Sequence, residues 1–200
     1  MKGTKDADFR IDFIGIGAAK TGTRWLANVM REHSEIFFPK EKELFYFNDV
    51  YFEYDLPQKN KRHQESLSWY HDFFKAAKTN QLKGEICNQY MSSQNTAKAI
   101  FEYNPNVKIF AILRQPVERA ISHYLYDKYR HFSVPQNFEE AIEKRPFYME
   151  QGLYYQHLKP YFELFPKENI KIFLFEDLGK DKKAFFAELL QFLNAKEEYP

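Results

Sequence analysis

The sequence predicts an α/β protein, a three-layer α/β/α arrangement around a central, mostly parallel sheet. Three observations lead there. Short apolar runs rich in β-branched and aromatic residues alternate with stretches of helical spacing along the chain. The run Val107-Lys108-Ile109-Phe110-Ala111-Ile112-Leu113 reads as a buried strand, the clearest in the sequence. Gly15, Gly17 and Gly22 punctuate a strand-to-helix turn near the start.

Residues 9–16 read as the first strand, with Phe9, Ile11, Phe13, Ile14 and Ile16 apolar. Thr21 or Thr23 is expected to cap a helix over about residues 24–33, with Trp25, Leu26, Val29 and Met30 on one face. Residues 34–42 form a connection containing Pro39, and an acid opens the short apolar run Glu43-Leu44-Phe45-Tyr46-Phe47. Residues 50–65 read as polar and irregular, with a basic knot at Lys59, Lys61, Arg62 and His63. Helical spacing follows over 67–77, a short strand over 83–86 and a helix near 93–103. Asn104-Pro105-Asn106 is a turn before the buried strand. Pro116 suits the first position of a helix reaching about Tyr129. Helices are expected over 138–144 and 154–165, a strand over 169–175 and a last amphipathic helix over 182–193.

Two hundred residues suit one domain with a sizeable core. Residues 9–200 are expected to form it, with 1–8 a flexible N-terminus. Charge is nearly balanced, 29 basic against 28 acidic residues, which gives no support to a nucleic-acid binder. Any anion site must therefore be local. The single cysteine, Cys87, excludes an internal disulfide framework and a cysteine-rich zinc site. No apolar run approaches the roughly 20 residues of a membrane helix. Asp6, Asp8, Arg10 and Asp12 interrupt any secretory signal, so the chain is expected to be cytoplasmic, with no membrane partner.

The chemistry starts at the first turn. A strand, a glycine-containing loop and a helix N-terminus point free backbone N–H groups and the positive end of a helix dipole at one spot. The order G-x-x-x-x-G-K-[ST] is missing, because the lysine precedes the last glycine in Lys20-Thr21-Gly22-Thr23. The expected ligand is a phosphate-type anion other than the β/γ-phosphates of ATP. Arg114 directly follows the buried strand, and Ser122 lies two turns into the next helix. Lys20 and Arg114 should both face the crevice beyond the carboxyl ends of the strands, where open α/β sheets bind ligands. Spacing alone leaves two readings of Arg114 and Ser122: a phosphate clamp, or an arginine paired with a nearby acid beside a solvent-facing serine.

These segments carry a resemblance. Phe13-Ile14-Gly15-Ile16-Gly17-Ala18-Ala19-Lys20-Thr21-Gly22-Thr23 resembles the 5′-phosphosulfate loop of sulfotransferases that use 3′-phosphoadenosine 5′-phosphosulfate (PAPS). Ile112-Leu113-Arg114-Gln115-Pro116-Val117-Glu118-Arg119-Ala120-Ile121-Ser122-His123-Tyr124 resembles their 3′-phosphate motif. Lys40-Glu41-Lys42-Glu43-Leu44-Phe45-Tyr46-Phe47 is similar to the segment that bears the catalytic acid in the heparan-sulfate-type branch. The resemblance implies a P-loop-like fold and transfer of a sulfuryl group from PAPS to an acceptor hydroxyl or amine, leaving PAP. It implies that Lys20 contacts the bridging oxygen between phosphate and sulfate. It assigns the 5′-phosphate to the backbone N–H groups of Thr21, Gly22, Thr23 and Arg24 with the threonine hydroxyls. Arg114 and Ser122 would hold the 3′-phosphate, and Glu43 rather than Glu41 would be the general base. Arg24 departs from the pattern, standing where many relatives have threonine or serine. His123 reads as a helix residue and Arg119 as a structural ion-pair partner. The implied acceptor is a small molecule or a glycan, and no metal is required. Relatives continue past the last helix with a basic, glycine-containing loop, and this sequence reaches Pro200 without that usual C-terminal segment. The competing functions are a P-loop nucleotide or small-molecule kinase and a non-catalytic PAP-binding module. The first would need the missing Gly-Lys-Ser/Thr order.

Overall fold

The structure, a computed structural model, describes residues 9–53, 56–93, 95–130 and 133–200. The expectation about residues 1–8 lies outside them. The central sheet has five strands: β1 (Phe13–Gly17), β2 (Ile36–Phe37), β5 (Leu82–Ile86), β6 (Lys108–Leu113) and β7 (Ile170–Leu174). Their order is β2-β5-β1-β6-β7, and every pairing is parallel. Phe13 pairs with Gly84 on one side and Lys108 on the other. β1 is therefore central, and all five of its residues are buried.

Helices cover both faces, and the side chains of β1 and β6 divide between them as the strand period requires. Ile14, Ile16, Ile109 and Ala111 pack with Ala97 and Ile100 of α3 (Thr96–Tyr103) and Leu158 and Tyr161 of α7 (Tyr154–Leu164). Phe13, Phe110 and Ile112 pack on the other face. Their partners there are Leu26 and Met30 of α1 (Thr23–Glu32) and Phe186 and Leu189 of α9 (Lys182–Leu193). Gly15 is needed on that second face, because a Cβ there would lie 2.6 Å from the Phe110 ring and 2.7 Å from Ile86. The expected three-layer α/β/α architecture is the observed one, with a wholly parallel central sheet.

Several boundaries move. The first strand begins at Phe13 rather than Phe9, since Ile11 donates its N–H to the Tyr103 hydroxyl instead of to a neighbouring strand. The segment expected to be irregular contains an antiparallel hairpin, β3 (Val50–Glu53) and β4 (Leu56–Lys59), followed by a 3₁₀ turn. Pro57 in β4 obscures it in the sequence, because proline normally argues against a paired strand. Helix α2 (Leu67–Asp72) is five residues shorter than expected. Two short helices, α6 (Phe147–Glu150) and α8 (Phe175–Lys180), were not expected. Helices α4 (Pro116–Tyr129) and α5 (Phe138–Lys144) have the expected extents, and Pro116 opens α4 as read.

Candidate active site

At the carboxyl ends of β1, β5 and β6 lies a cavity of about 870 Å³. Its lining includes Lys20, Gly22, Thr23, Arg24, Glu43, Arg114 and Ser122, so the structure brings together all but one of the residues selected from the sequence. The exception is Thr21. It is fully buried, and its hydroxyl donates to the Ala18 carbonyl at 2.7 Å. That bond ties the loop to itself and withdraws the hydroxyl from any ligand, which corrects the expected role of this side chain. Neither threonine caps α1. Gly22 occupies the cap with φ 78° and no side-chain bond. A Cβ there would also meet Leu178 at 2.7 Å. Leu26 N–H donates to the Gly22 carbonyl as the first bond of the helix. The N–H groups of Thr23, Arg24 and Trp25 have no acceptor within the helix and are available at its positive end.

Lys20 adopts a left-handed backbone, φ 72°, which costs a non-glycine residue energy and is found where a site demands it. Its ammonium lies 3.7 Å from the centre of the Tyr126 ring. Burial lowers its pKa to about 8; Asp127 opposes the shift, while Arg24 and Arg114 add to it. The shift is chiefly the cost of burying the ammonium, a cost that an anionic ligand beside it would offset.

Arg114 leaves the end of β6 and is held from several sides. Tyr154 Oη donates to its carbonyl at 2.8 Å, Phe175 lies under its guanidinium at 4.8 Å, and Glu118 accepts a hydrogen bond at 3.3 Å. The exposed partner Glu118 leaves the other guanidinium nitrogens for the cavity. Of the two sequence readings of Arg114, the pairing with a nearby acid is observed. Arg114 pairs with Glu118 in the first turn of α4, and it lines the same cavity as Ser122.

Glu43 also has a left-handed backbone, φ 65°. Its Oε1 accepts from Lys42 Nζ and from Asn88 Nδ2, each at 2.7 Å. Glu41 turns elsewhere and pairs with Arg62 at 2.8 Å, so of the two carboxylates Glu43 is the one lining the cavity. Arg62 also donates to the carbonyls of Glu43 and Leu44. The basic knot thus braces the acid-bearing loop.

Among the cavity residues that sequence reasoning missed are Asn88, His123, Asp127 and Gln151. Asn88 sits just beyond the carboxyl end of β5, where the same rule that singled out Lys20 and Arg114 applies. His123, expected to be a helix residue, lies in α4 and also lines the cavity. Burial, helped by Arg119 and Lys20, lowers its pKa to about 3, so the ring is neutral. Its Nδ1 is 3.5 Å from an Arg119 nitrogen, which can only donate, leaving Nε2 as the protonated ring nitrogen. Arg119 itself is buried and donates to the Tyr148 carbonyl rather than forming the expected ion pair. Asp127 follows His123 by one turn, and its Oδ2 accepts from Tyr148 Oη at 2.6 Å.

Chemically, the cavity offers five cationic side chains, Lys20, Arg24, Arg31, Lys42 and Arg114, and a helix N-terminus for a multiply charged anion, with the carboxylates of Glu43 and Asp127 in the same lining. Among the described residues, no group of three or more His, Cys, Asp or Glu side chains is arranged to hold a metal ion. No helix among them is long and apolar enough to cross a membrane.

Residues 10–199 match the sulfotransferase domain family. The membrane-associated sulfotransferase kil1 of Dictyostelium discoideum is 32% identical over 126 residues, 62% of this chain and 23% of that protein. Mouse heparan sulfate glucosamine 3-O-sulfotransferase 3B1 is 24% identical over 190 residues, 90% of this chain and 45% of its own length. The chain thus spans less than half the length of these relatives. Among solved structures, a sulfotransferase from Alicyclobacillus acidocaldarius superposes with a TM-score of 0.81 at 26% identity. That match covers 96% of this chain and 83% of the bacterial one.

Proposed function

This chain belongs to the sulfotransferase family, and from that premise we propose that it transfers a sulfuryl group from PAPS to an acceptor hydroxyl or amine. One observation carries the reading. Lys20, from the loop after β1, and Arg114, from the end of β6, line one cavity together with the carboxylate of Glu43. The volume suits an adenosine bisphosphate with room for part of an acceptor.

PAPS would supply the sulfuryl group and, in PAP, a leaving group held at both phosphates. The N–H groups of Thr23 and Arg24, with the Thr23 hydroxyl, would bind the 5′-phosphate at the start of α1. Arg114 and Ser122 would bind the 3′-phosphate. Glu43 takes the proton from the acceptor as its oxygen or nitrogen bonds to sulfur. The bond from sulfur to the bridging phosphate oxygen breaks, and Lys20 stabilises the charge that develops on that oxygen. The hydrogen bonds from Lys42 and Asn88 hold Oε1 of Glu43 in place. Acceptors in this reading are small molecules or glycans.

The test is direct. PAP at 100 times its Kd should stabilise the purified chain by ~2.7 kcal/mol in the presence of EDTA. Sulfuryl transfer from PAPS to heparan sulfate, a phenol or an alkyl alcohol should fall by about 10²–10⁴-fold in Glu43→Gln, with PAP affinity unchanged. Stabilisation by magnesium-ATP but not by PAP would overturn the proposal.

A further inference from the structure

The segment bearing Glu43 has no helix or strand of its own, yet its backbone is held at almost every polar atom. Glu43 N–H donates to the Ile86 carbonyl at 3.2 Å. Leu44 N–H donates to Glu85 Oε2 at 3.3 Å. Tyr46 N–H donates to the Tyr90 hydroxyl at 2.9 Å, and Phe47 N–H reaches the same oxygen at 3.5 Å. Asn60 donates to the Phe45 carbonyl. Both Glu43 and Phe45 have left-handed backbone, φ 65° and 55°, a path that does not hold itself.

Most of these bonds lead back to Glu85. It is fully buried in β5, and its Oε1 accepts from Tyr70 Oη at 2.8 Å and from Tyr90 Oη at 3.0 Å. No cation forms an ion pair with it among the described residues. A lone buried carboxylate is an expensive way to stabilise a core, since an apolar side chain of similar size serves at less cost. Burial raises the pKa of Glu85 to about 7, against the hydrogen bonds from Tyr70, Tyr90 and Leu44 N–H that lower it. Retaining such a group makes sense only if its acceptor atoms have a task.

We infer that Glu85 is a positioning residue for the reaction: through Leu44 and Tyr90 it holds the loop that aims Glu43 into the cavity. The inference rests on the reading of Glu43 as the base. Glu85 touches neither cofactor nor acceptor, and it is absent from the cavity lining. One oxygen fixes the residue directly after the base. The other orients the tyrosine that fixes the two residues after the aromatic at 45. Asn88, three residues along from Glu85, completes the clamp on the carboxylate itself.

Glu85→Gln tests this in the full chain. It keeps volume and burial but turns one acceptor into an NH₂ donor facing either Leu44 N–H or the tyrosine hydroxyls. The probe is PAPS itself, with water as the acceptor and PAP release as the signal, so no acceptor need be known. Hydrogen exchange at the Leu44 and Tyr46 amides should speed up while PAP affinity and Tm hold. The maximal rate of PAP release should fall by about 10²-fold with KM for PAPS unchanged. In the Glu43→Gln background the same change should cost less than about twofold, because the two act through one carboxylate. A merely structural Glu85 would instead lower Tm or PAP affinity, and would cost as much with or without Glu43; either result overturns the inference. So does a Glu85→Gln protein of normal turnover where Glu43→Gln is inactive. If Glu43→Gln itself releases PAP at the wild-type rate, the base assignment fails first, and that outcome is separately visible. Should Glu85→Gln not fold, Tyr90→Phe removes the hydroxyl alone and must show the same pattern.

Discussion

Raising the pH through the titration of Lys20 should switch off turnover in a calculable way. Lys20 acts only as the ammonium, and burial lowers its pKa to about 8, with Arg24 and Arg114 pushing further and Asp127 resisting. The sign follows from the direction of the shift. The charged form prevails below that value and is lost as the pH climbs through it. One unit above it about a tenth of the free protein still carries the proton, so kcat/KM for PAPS should drop about tenfold, equivalent to about 1.4 kcal/mol of barrier. The profile of kcat/KM reports the free protein. With the anionic donor bound, the ammonium is favoured, and the limb in kcat should move to higher pH. The assay is the initial rate of PAP release between about pH 6.5 and about 9.5 at constant ionic strength. Lys20→Arg, whose guanidinium stays charged, should lose the limb whatever its absolute rate. A flat wild-type profile across that range, or an identical limb in Lys20→Arg, refutes the assignment.

Two further outcomes check other parts of the molecule. Arg114→Ala should weaken PAP by about 10–100-fold, the loss of a charge-assisted hydrogen bond worth ~1.5–3 kcal/mol, while adenosine 5′-phosphosulfate, which lacks the 3′-phosphate, binds as before. Calorimetry reads both, and equal losses would place Arg114 away from the 3′-phosphate. Gly15→Ala drives a methyl to within 2.6 Å of the Phe110 ring and 2.7 Å of Ile86, and should cost about 1–3 kcal/mol in urea unfolding. Undiminished stability would contradict the packing at the centre of the sheet.

What could be read beforehand was what the chain encodes locally. The run at 108–113 is apolar because helices cover both its faces, and Arg114 follows it directly, so strand and cation were legible together. The glycine loop announced an anion site through Gly22 and Lys20. The hairpin at 50–59 was hidden by Pro57 and by polar composition. The choice between Glu43 and Glu41 came from tertiary pairing: Arg62 takes one, Lys42 and Asn88 take the other. The Thr21 hydroxyl misled because a threonine beside a ligand loop and a threonine fastening that loop are written alike. Glu85 and Asp127 had no sequence signal either, since Tyr70 and Tyr148, which donate to them, come from other elements.

Neighbouring strands, bonded edge to edge, move as one plate. In the order β5-β1-β6, Arg114 and Lys20 follow the ends of two adjoining slats of that plate, and the loop of Glu43 hangs on the third through its N–H bond to the Ile86 carbonyl. The hairpin at 50–59 pairs only with itself and not with this sheet. Exchanging it for that of a relative would leave every hydrogen bond between the three slats in place, which marks it as a segment that can be replaced without rebuilding the sheet.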